Sequence, residues 1–396
     1  MRNITVWGLS LGQALLITGN ILLVSVTALI GQSLAPSFAL ATLPVALQFL
    51  GLMGVTLPAA LLMGWLGRKK GFLAGNLIGV GGAFLAFYAV KHGLFELFCG
   101  ATFLLGMAIG IGQQYRFAAT ENVPKEKAPL AISMIMGAGV IAAVLGPNMA
   151  IWFEHWAPET QYLGAFAALI VLYIFNTVLI AVLPMRAPTA QELNGTPRPY
   201  RELLKQSDLM SAIVAGSIGY AVMVLIMTAT PLAMQACGFN FGNTAHIIQW
   251  HVLGMFLPSF FTGRLIMRIG TYSVIQLGCI MLLGCVFLNQ FGVSYWHFFI
   301  ALVLLGIGWN FTFIGATALL TKTYRPADKA RVQGVNDLIV FSSAAAASLL
   351  SGYWHSLFGW EILNLLMIPA ILVAMFTLMS SRKRAVIITP NITPQS

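Results

Sequence analysis

The fold class this sequence predicts is an all-α integral membrane protein, with twelve transmembrane helices in two pseudo-symmetric six-helix bundles. Three observations predict it: a composition too apolar for a water-soluble core, apolar runs of membrane-spanning length, and one long polar interval that divides those runs six and six. The 396-residue chain is 59% hydrophobic and 8% charged, with a mean hydropathy of +0.86. A single globular core cannot hide that much apolar surface, so the bilayer must be its solvent. Runs of about 20 apolar residues without polar alternation read as helices, because backbone groups in lipid must bond within their own segment. A transmembrane barrel is excluded.

Apolar runs bounded by Gly, Pro and charged residues place the helices at 5–31, 37–63, 72–91, 94–117, 130–153, 162–184, 208–236, 243–265, 271–292, 296–321, 332–356 and 360–380. The first run, from Thr5 to Ile30, is too long for a signal-peptide core and lacks a cleavage site, so it is a span. Gly64 to Gly71 separates the second and third spans, Lys91 to Gly93 the third and fourth, and Glu121 to Lys127 the fourth and fifth. The interval from Arg186 to Ser207 carries Pro188, Asn194, Gly195, Pro197 and Pro199 beside Arg198, Arg201 and Lys205. It reads as a cytoplasmic linker, 186–207, between an N-terminal bundle, 1–185, and a C-terminal bundle, 208–381, with a cytoplasmic tail at 382–396.

A net charge of +10 would suggest nucleic acid in a soluble protein. Here every Lys and Arg except Lys91 and Arg116 falls in gaps on one side of the spans. The charge therefore reports topology, with both termini cytoplasmic, and no nucleic-acid partner is implied. Cys99, Cys237, Cys279 and Cys285 form no Cys-x-x-Cys pair and no disulfide framework. No nucleotide-binding loop and no catalytic Ser, His and Asp spacing is present, so the chain is not read as an enzyme.

The halves repeat. Gly64-Trp65-Leu66-Gly67-Arg68-Lys69-Lys70-Gly71 and Gly263-Arg264-Leu265-Ile266-Met267-Arg268-Ile269-Gly270 both fit Gly-x-Leu-x-x-(Lys/Arg)-x-Gly at an offset of 199. Gly110-Ile111-Gly112 is echoed by Gly306-Ile307-Gly308. Two similar bundles can rock about a site and so alternate access. With twelve spans, a central loop and this paired motif, the chain resembles the major facilitator superfamily. The resemblance implies a cytoplasmic-gate role for Gly64, Arg68, Lys69 and Gly71 and for Gly263, Arg264, Arg268 and Gly270, although the usual Asp of the motif is missing.

Asn20, Gln48, Asn76, Gln113, Gln114, Arg116, Trp309, Asn310, Asn336 and Asp337 interrupt apolar helices. Polar groups at membrane depth face a path or bond to a partner helix, and the amides fit either role. Arg116 is the costliest; it is expected near the cytoplasmic end of the fourth span, paired with Glu121 or a residue of another helix. No acid lies near a span centre, so no proton relay is readable.

Met223-x-x-x-Met227 in the seventh span and His251-x-x-x-Met255 in the eighth fall at similar depth, and an i, i+4 pair is separated by only about 40° around a helix. Met234 and Cys237 continue the sulfur stripe outward, and His246 sits at the outer mouth of the eighth span, as candidate capture ligands; His92, His155, His297 and His355 also fall at outer span ends. Neutral thioether and imidazole ligands suit Cu(I). Helix packing is the plain alternative, and Met375 with Met379 in the last span repeats the Met spacing as ordinary packing.

The two tetrads make the chain similar to the CcoA-type copper importers within that superfamily, which serve assembly of cbb3-type cytochrome oxidase. That resemblance implies copper import across a bacterial inner membrane, with Met223, Met227, His251 and Met255 binding the ion. It also implies copper as substrate with no resident cofactor, a cytoplasmic copper chaperone as acceptor, and a monomer in the lipid bilayer. Two alternatives stand beside it. One is a carrier of an organic solute such as riboflavin, stacked on Trp250, Trp309, Phe311 or Tyr115; the other is a copper-binding assembly factor that moves nothing.

Overall fold

The computed structural model describes residues 3–37, 40–154, 156–157 and 160–388. Arg2, His155 and the tail from 389 onward lie outside the described residues. The helices run in the order α1 Ile4–Leu34, α2 Leu43–Leu66, α3 Arg68–His92, α4 Phe95–Gly112, α5 Tyr115–Glu121, α6 Ala128–Gly137, α7 Gly139–Trp152, α8 Leu163–Val182, α9 Ala190–Asn194, α10 Tyr200–Leu203, α11 Ser207–Ala236, α12 Phe241–Phe256, α13 Ser259–Ile269, α14 Thr271–Leu288, α15 Tyr295–Leu320, α16 Lys329–Leu365 and α17 Met367–Ile388. Among the described residues there is no strand.

Among the described residues ten helices are long and apolar enough to cross a membrane, or eleven when α12 and α13, bent by 40° at their junction, count as one span. The last of them is a 57-residue stretch, Pro326–Arg382, about 85 Å of helix against a hydrocarbon core of about 30 Å. It breaks at Gly359, whose φ of 73° and ψ of 177° leave the helical region. It therefore crosses twice, and the spans number twelve, as the hydropathy predicts.

The eighth span is not the straight helix expected at 243–265. Pro258 has no N–H to continue the ladder, and the bend at α12 and α13 is stitched from α15. Asn310 Nδ2 donates to the Met255 carbonyl at 2.7 Å and to Ser259 Oγ at 2.6 Å, while Asn310 Oδ1 accepts from Thr262 Oγ1 at 2.7 Å. One buried amide thus satisfies the backbone that the kink leaves open.

Both loops of the repeat collapse onto a single glycine. Gly67 alone joins α2 to α3 at φ 86° and ψ 159°, and Gly270 alone joins α13 to α14 at φ 86° and ψ 155°. Positive φ costs glycine nothing. Gly67 N–H donates to the Met63 carbonyl at 3.0 Å and Gly270 N–H to the Ile266 carbonyl at 2.9 Å. The structural offset is therefore 203 (Gly67 to Gly270), and the 199-residue match that set Gly71 against Gly270 lies one helical turn out of register.

The Gly110 and Gly306 echo needs the same correction. Gly106 of α4 packs on the Gln48 carbonyl of α2, and Gly306 of α15 packs on the His251 carbonyl of α12; a Cβ would come within 2.0 Å and 2.5 Å of those oxygens. Gly51 and Gly254, again 203 apart, approach the carbonyls of Phe103 and Val303. Glycine at these crossings lets the backbones meet. Gly106, not Gly110, is the counterpart of Gly306.

The chain divides into two compact units, Met1–Thr196 with Pro326–Leu338, and Pro197–Arg325 with Ile339–Ser396. Within the first, α2 packs on α4, α3 on α4 and α8, and α1 on α7 and α8. Within the second, α15 is the hub: α11, α12 and α14 all pack on it, and α17 covers α11 and α14.

Candidate substrate site

The second unit holds the two tetrads on α11 and α12, each seated against α15. His251 is fully buried, and its Nδ1 lies 2.8 Å from the Leu302 carbonyl. A carbonyl only accepts, so Nδ1 carries the proton; full burial with no carboxylate partner among the described residues favours the neutral ring, whose lone pair is then on Nε2. Nε2 is buried with no hydrogen-bond partner. An acceptor stranded at membrane depth is costly.

Met223 and Met255 are buried and Met227 is half-buried. Under the 203-residue repeat, Met223 and His251 occupy the positions of Asn20 and Gln48. In the first unit those two side chains are hydrogen-bonded at 3.0 Å. Met234 is fully buried inside the unit, and Cys237 is an exposed free thiol at the end of α11. Both nitrogens of His246 are engaged: Nε2 accepts from Trp250 Nε1 at 3.1 Å and Nδ1 faces the Tyr295 hydroxyl at 2.5 Å. Among the described residues no three His, Cys, Asp or Glu side chains converge on a metal-sized space.

Below His251 the same helices build an aromatic box. Trp309 of α15 stacks on Phe313 one turn later, with ring centroids 5.0 Å apart and planes 11° apart. Tyr220 of α11 sets its ring edge-on to Trp309, Phe313 and Phe341, at 5.5, 5.4 and 5.7 Å, and Phe256 of α12 meets Trp309 at 5.9 Å. Edge-to-face and offset arrangements of this kind suit aromatic quadrupoles. Trp309 is 2% exposed, and its Nε1–H is a second buried polar group with no partner. His251 and Trp309 therefore present one unmet acceptor and one unmet donor. His251 is level with Leu302 and Gly306, so Trp309 sits about 5–10 Å further along α15.

Of the aromatic residues read from the sequence, only Trp309 belongs to this box; Tyr115 is in the first unit against Phe72, Phe311 faces Phe261, and Trp250 packs with His246 and Phe299. Tyr220, Phe313 and Phe341 were not singled out. The signal that could have found them is the i, i+4 spacing of Trp309 and Phe313 on the span that Asn310 marks.

The gate residues separate by half. In the first unit Arg68 is buried, its Nε and Nη2 bonding Glu121 Oε1 at 3.0 and 2.9 Å and its Nη1 bonding Gln114 Oε1 at 3.0 Å, with Gln333 as a further partner. Lys69 donates to the Leu183 carbonyl at 3.1 Å; Cβ atoms on Gly64 and Gly71 would meet Ala330 and Met63. In the second unit Gly263 is buried, whereas Arg264, Arg268 and Gly270 are exposed. Arg116 pairs with Asp337, not Glu121, which Arg68 has taken.

Outside the membrane the linker continues this charge chain. Thr189 caps α9, accepting from Glu192 N–H at 3.3 Å while Glu192 Oε2 accepts from Thr189 N–H at 2.7 Å. Glu192 Oε1 then takes Lys329 Nζ at 2.7 Å and Arg186 Nη2 at 2.5 Å, and Lys329 reaches on to Glu121 at 3.2 Å. Burial pushes the Glu192 carboxyl up, but the Lys329 and Thr189 hydrogen bonds and the Lys329 and Arg186 charges outweigh it and hold the group below the usual carboxylate range. A depressed folded-state pKa stabilises above the unfolded value and is lost as pH falls through the folded one. Glu192→Gln is expected to lower the melting temperature of the purified protein at pH 7. The gap from wild type should close as the pH falls below about 4.5, and a gap that persists unchanged to pH 3 would mean that the carboxylate charge is not what holds α9.

The riboflavin transporter RfnT of Brucella anthropi is 38% identical to this chain over 374 residues, covering 93% of each. An uncharacterized major-facilitator-type transporter of Bacillus subtilis, YdeG, is 31% identical over 373 residues, 88% of this chain and 86% of that one. Among solved structures the Escherichia coli fucose:proton symporter FucP superposes with a TM-score of 0.77 over 95% of this chain and 98% of its own, at 14% identity, a likeness of fold alone. The copper importers that the Met and His spacing suggested find no support among these relatives. The family model of the Major Facilitator Superfamily matches residues 9–288 and 239–393; with twelve helical spans and a duplicated turn glycine at Gly67 and Gly270, the chain belongs to the major facilitator superfamily.

Proposed function

We propose that this protein carries riboflavin, or a solute built on the same flat, imide-bearing ring, inward across the bacterial inner membrane, with both termini in the cytoplasm. The observation that carries the reading is the 38% identity to a riboflavin transporter over 93% of both chains. The chemistry of the second unit supports it. Trp309, Phe313 and Tyr220 supply aromatic surface suited to a planar tricycle; Trp309 Nε1–H donates to a ring carbonyl, and His251 Nε2 accepts the imide N–H. A neutral imidazole is the tautomer that does this without placing charge in the membrane. The protein acts as a monomer without a resident cofactor, moving its solute by alternating access of the two bundles.

The test is uptake of radiolabelled riboflavin by cells that require it from outside and lack their own carrier. Expression of this chain is expected to give saturable uptake and growth at low external riboflavin. No uptake above the empty-vector level, with the protein present in the membrane, overturns the reading. Radioactive copper in the same cells decides the ion reading: accumulation abolished by both Met227→Ala and His251→Ala, in cells that take up no riboflavin, would restore it.

A further inference from the structure

The first unit contains a polar pair that the ring-binding residues leave unexplained. Gln48 of α2 is 4% exposed, and its Nε2 donates to Asn20 Oδ1 of α1 at 3.0 Å. Its Oε1 is buried and has no partner. Asn20 is half-buried, so its amide remains reachable. A stranded carboxamide oxygen at membrane depth carries a desolvation cost, which a hydroxyl donor from a solute would relieve.

The place of the pair in the repeat gives it a role. Gln48 precedes the turn glycine Gly67 by 19 residues, and His251 precedes Gly270 by 19. The Gln48 carbonyl meets Gly106 as the His251 carbonyl meets Gly306. Asn20 follows the N-cap Asn3 by 17 residues, and Met223 follows the N-cap Gln206 by 17. Each half therefore puts a partly unsatisfied polar side chain at one corresponding crossing: an imidazole in the second, a carboxamide in the first. Neither amide bonds to an ionised group among the described residues.

We propose that Asn20 and Gln48 form a polyol-reading site, which selects the transported solute by a hydroxylated side chain such as the ribityl group. Each hydroxyl is at once donor and acceptor. Gln48 Oε1 offers an acceptor and Asn20 Nδ2 a donor on adjacent helices, the alternation that neighbouring hydroxyls match. A flat ring with one N–H leaves such a pair underused. The proposal rests on the riboflavin reading.

The experiment compares riboflavin with lumiflavin, which has a methyl group in place of the ribityl chain, as competitors of radiolabelled riboflavin uptake. Wild type is expected to prefer riboflavin by tenfold or more. In Gln48→Leu and in Asn20→Leu, half-saturation for riboflavin should rise about tenfold while inhibition by lumiflavin is unchanged, so that the preference collapses; retained lumiflavin inhibition reports an intact carrier. Gln48→Glu, which keeps an acceptor at that place, should lose less of the preference than Gln48→Leu. An unchanged preference in both leucine variants, or a wild type that does not distinguish the two flavins, overturns the polyol site while leaving riboflavin transport standing. Wild-type cells that take up no riboflavin fail the reading beneath it, a separate outcome.

Discussion

Asp337→Ala is expected to destabilise the protein by about 3–5 kcal/mol, the usual cost of stripping one partner from a buried ion pair. Asp337 of α16 and Arg116 of α5 belong to the same compact unit and are 0% and 1% exposed at the side chain. Gln114 Nε2 donates to Asp337 Oδ2 at 2.7 Å and Asn336 Nδ2 to Oδ1 at 3.0 Å, while Arg116 donates to the Gln113 carbonyl at 2.8 Å and lies 4.6 Å above the Phe117 ring. The carboxylate is bonded directly to Arg116. Removing it leaves a guanidinium in an apolar bundle, where a lone charge costs several kcal/mol.

Removing both charges is a different experiment. The attraction in such a pair roughly offsets the cost of desolvating it, so Arg116→Met with Asp337→Leu should recover most of what either single change loses. Melting curves of the four purified proteins in one detergent measure the cycle. If Asp337→Ala melts within a degree or two of wild type, the pair is not the buried tie described here; if the double variant is worse than both singles, surrounding amides such as Gln114 hold the site only when charged.

The sequence made the fold legible because hydropathy writes membrane spans directly into composition, and the linker proline and charge cluster from Arg186 to Lys205 divides them. The repeat was visible but misregistered, and the reason is physical. Glycines recur at helical spacing on both sides of the true equivalence, as Gly67 and Gly71 or Gly106 and Gly110 do, so a motif matches equally well one turn away. Only the positive φ of Gly67 and Gly270 and the carbonyls packed against Gly106 and Gly306 choose between them. Arg116 was legible as costly, but its partner lies 221 residues away, beyond any local pattern. His251 was legible as a polar residue in an apolar span. What it binds was not, since Met at four-residue spacing is common in membrane helices, whereas the unmet acceptor at Nε2 and donor at Trp309 depend on side chains already in place.

Trp309→Phe is expected to raise the KM for riboflavin about tenfold without lowering the melting temperature, and the two readouts together separate binding from packing. Phe keeps an aromatic ring against Phe313, Tyr220 and Phe256 and removes the N–H with three heavy atoms of the indole. That donor is buried without a partner, so its loss relieves a desolvation cost in the empty carrier that offsets the lost packing; the stability should be little changed. With solute bound, the lost hydrogen bond to a ring carbonyl leaves that carbonyl unmet, and a tenfold loss corresponds to about 1.4 kcal/mol. His251→Leu should cost a similar factor by removing the acceptor for the imide N–H, although it also breaks the 2.8 Å tie to Leu302, so a modest fall in melting temperature accompanies it. A methyl group on the imide nitrogen makes the assignment specific: the methylated flavin should compete poorly with wild type, yet as well as riboflavin with His251→Leu, because the acceptor it cannot satisfy is gone. If Trp309→Phe lowers the melting temperature and leaves KM unchanged, the indole is a packing residue. If the methylated flavin competes equally in wild type and His251→Leu, the imidazole reads something other than the imide, and the ring lies in the box in another orientation.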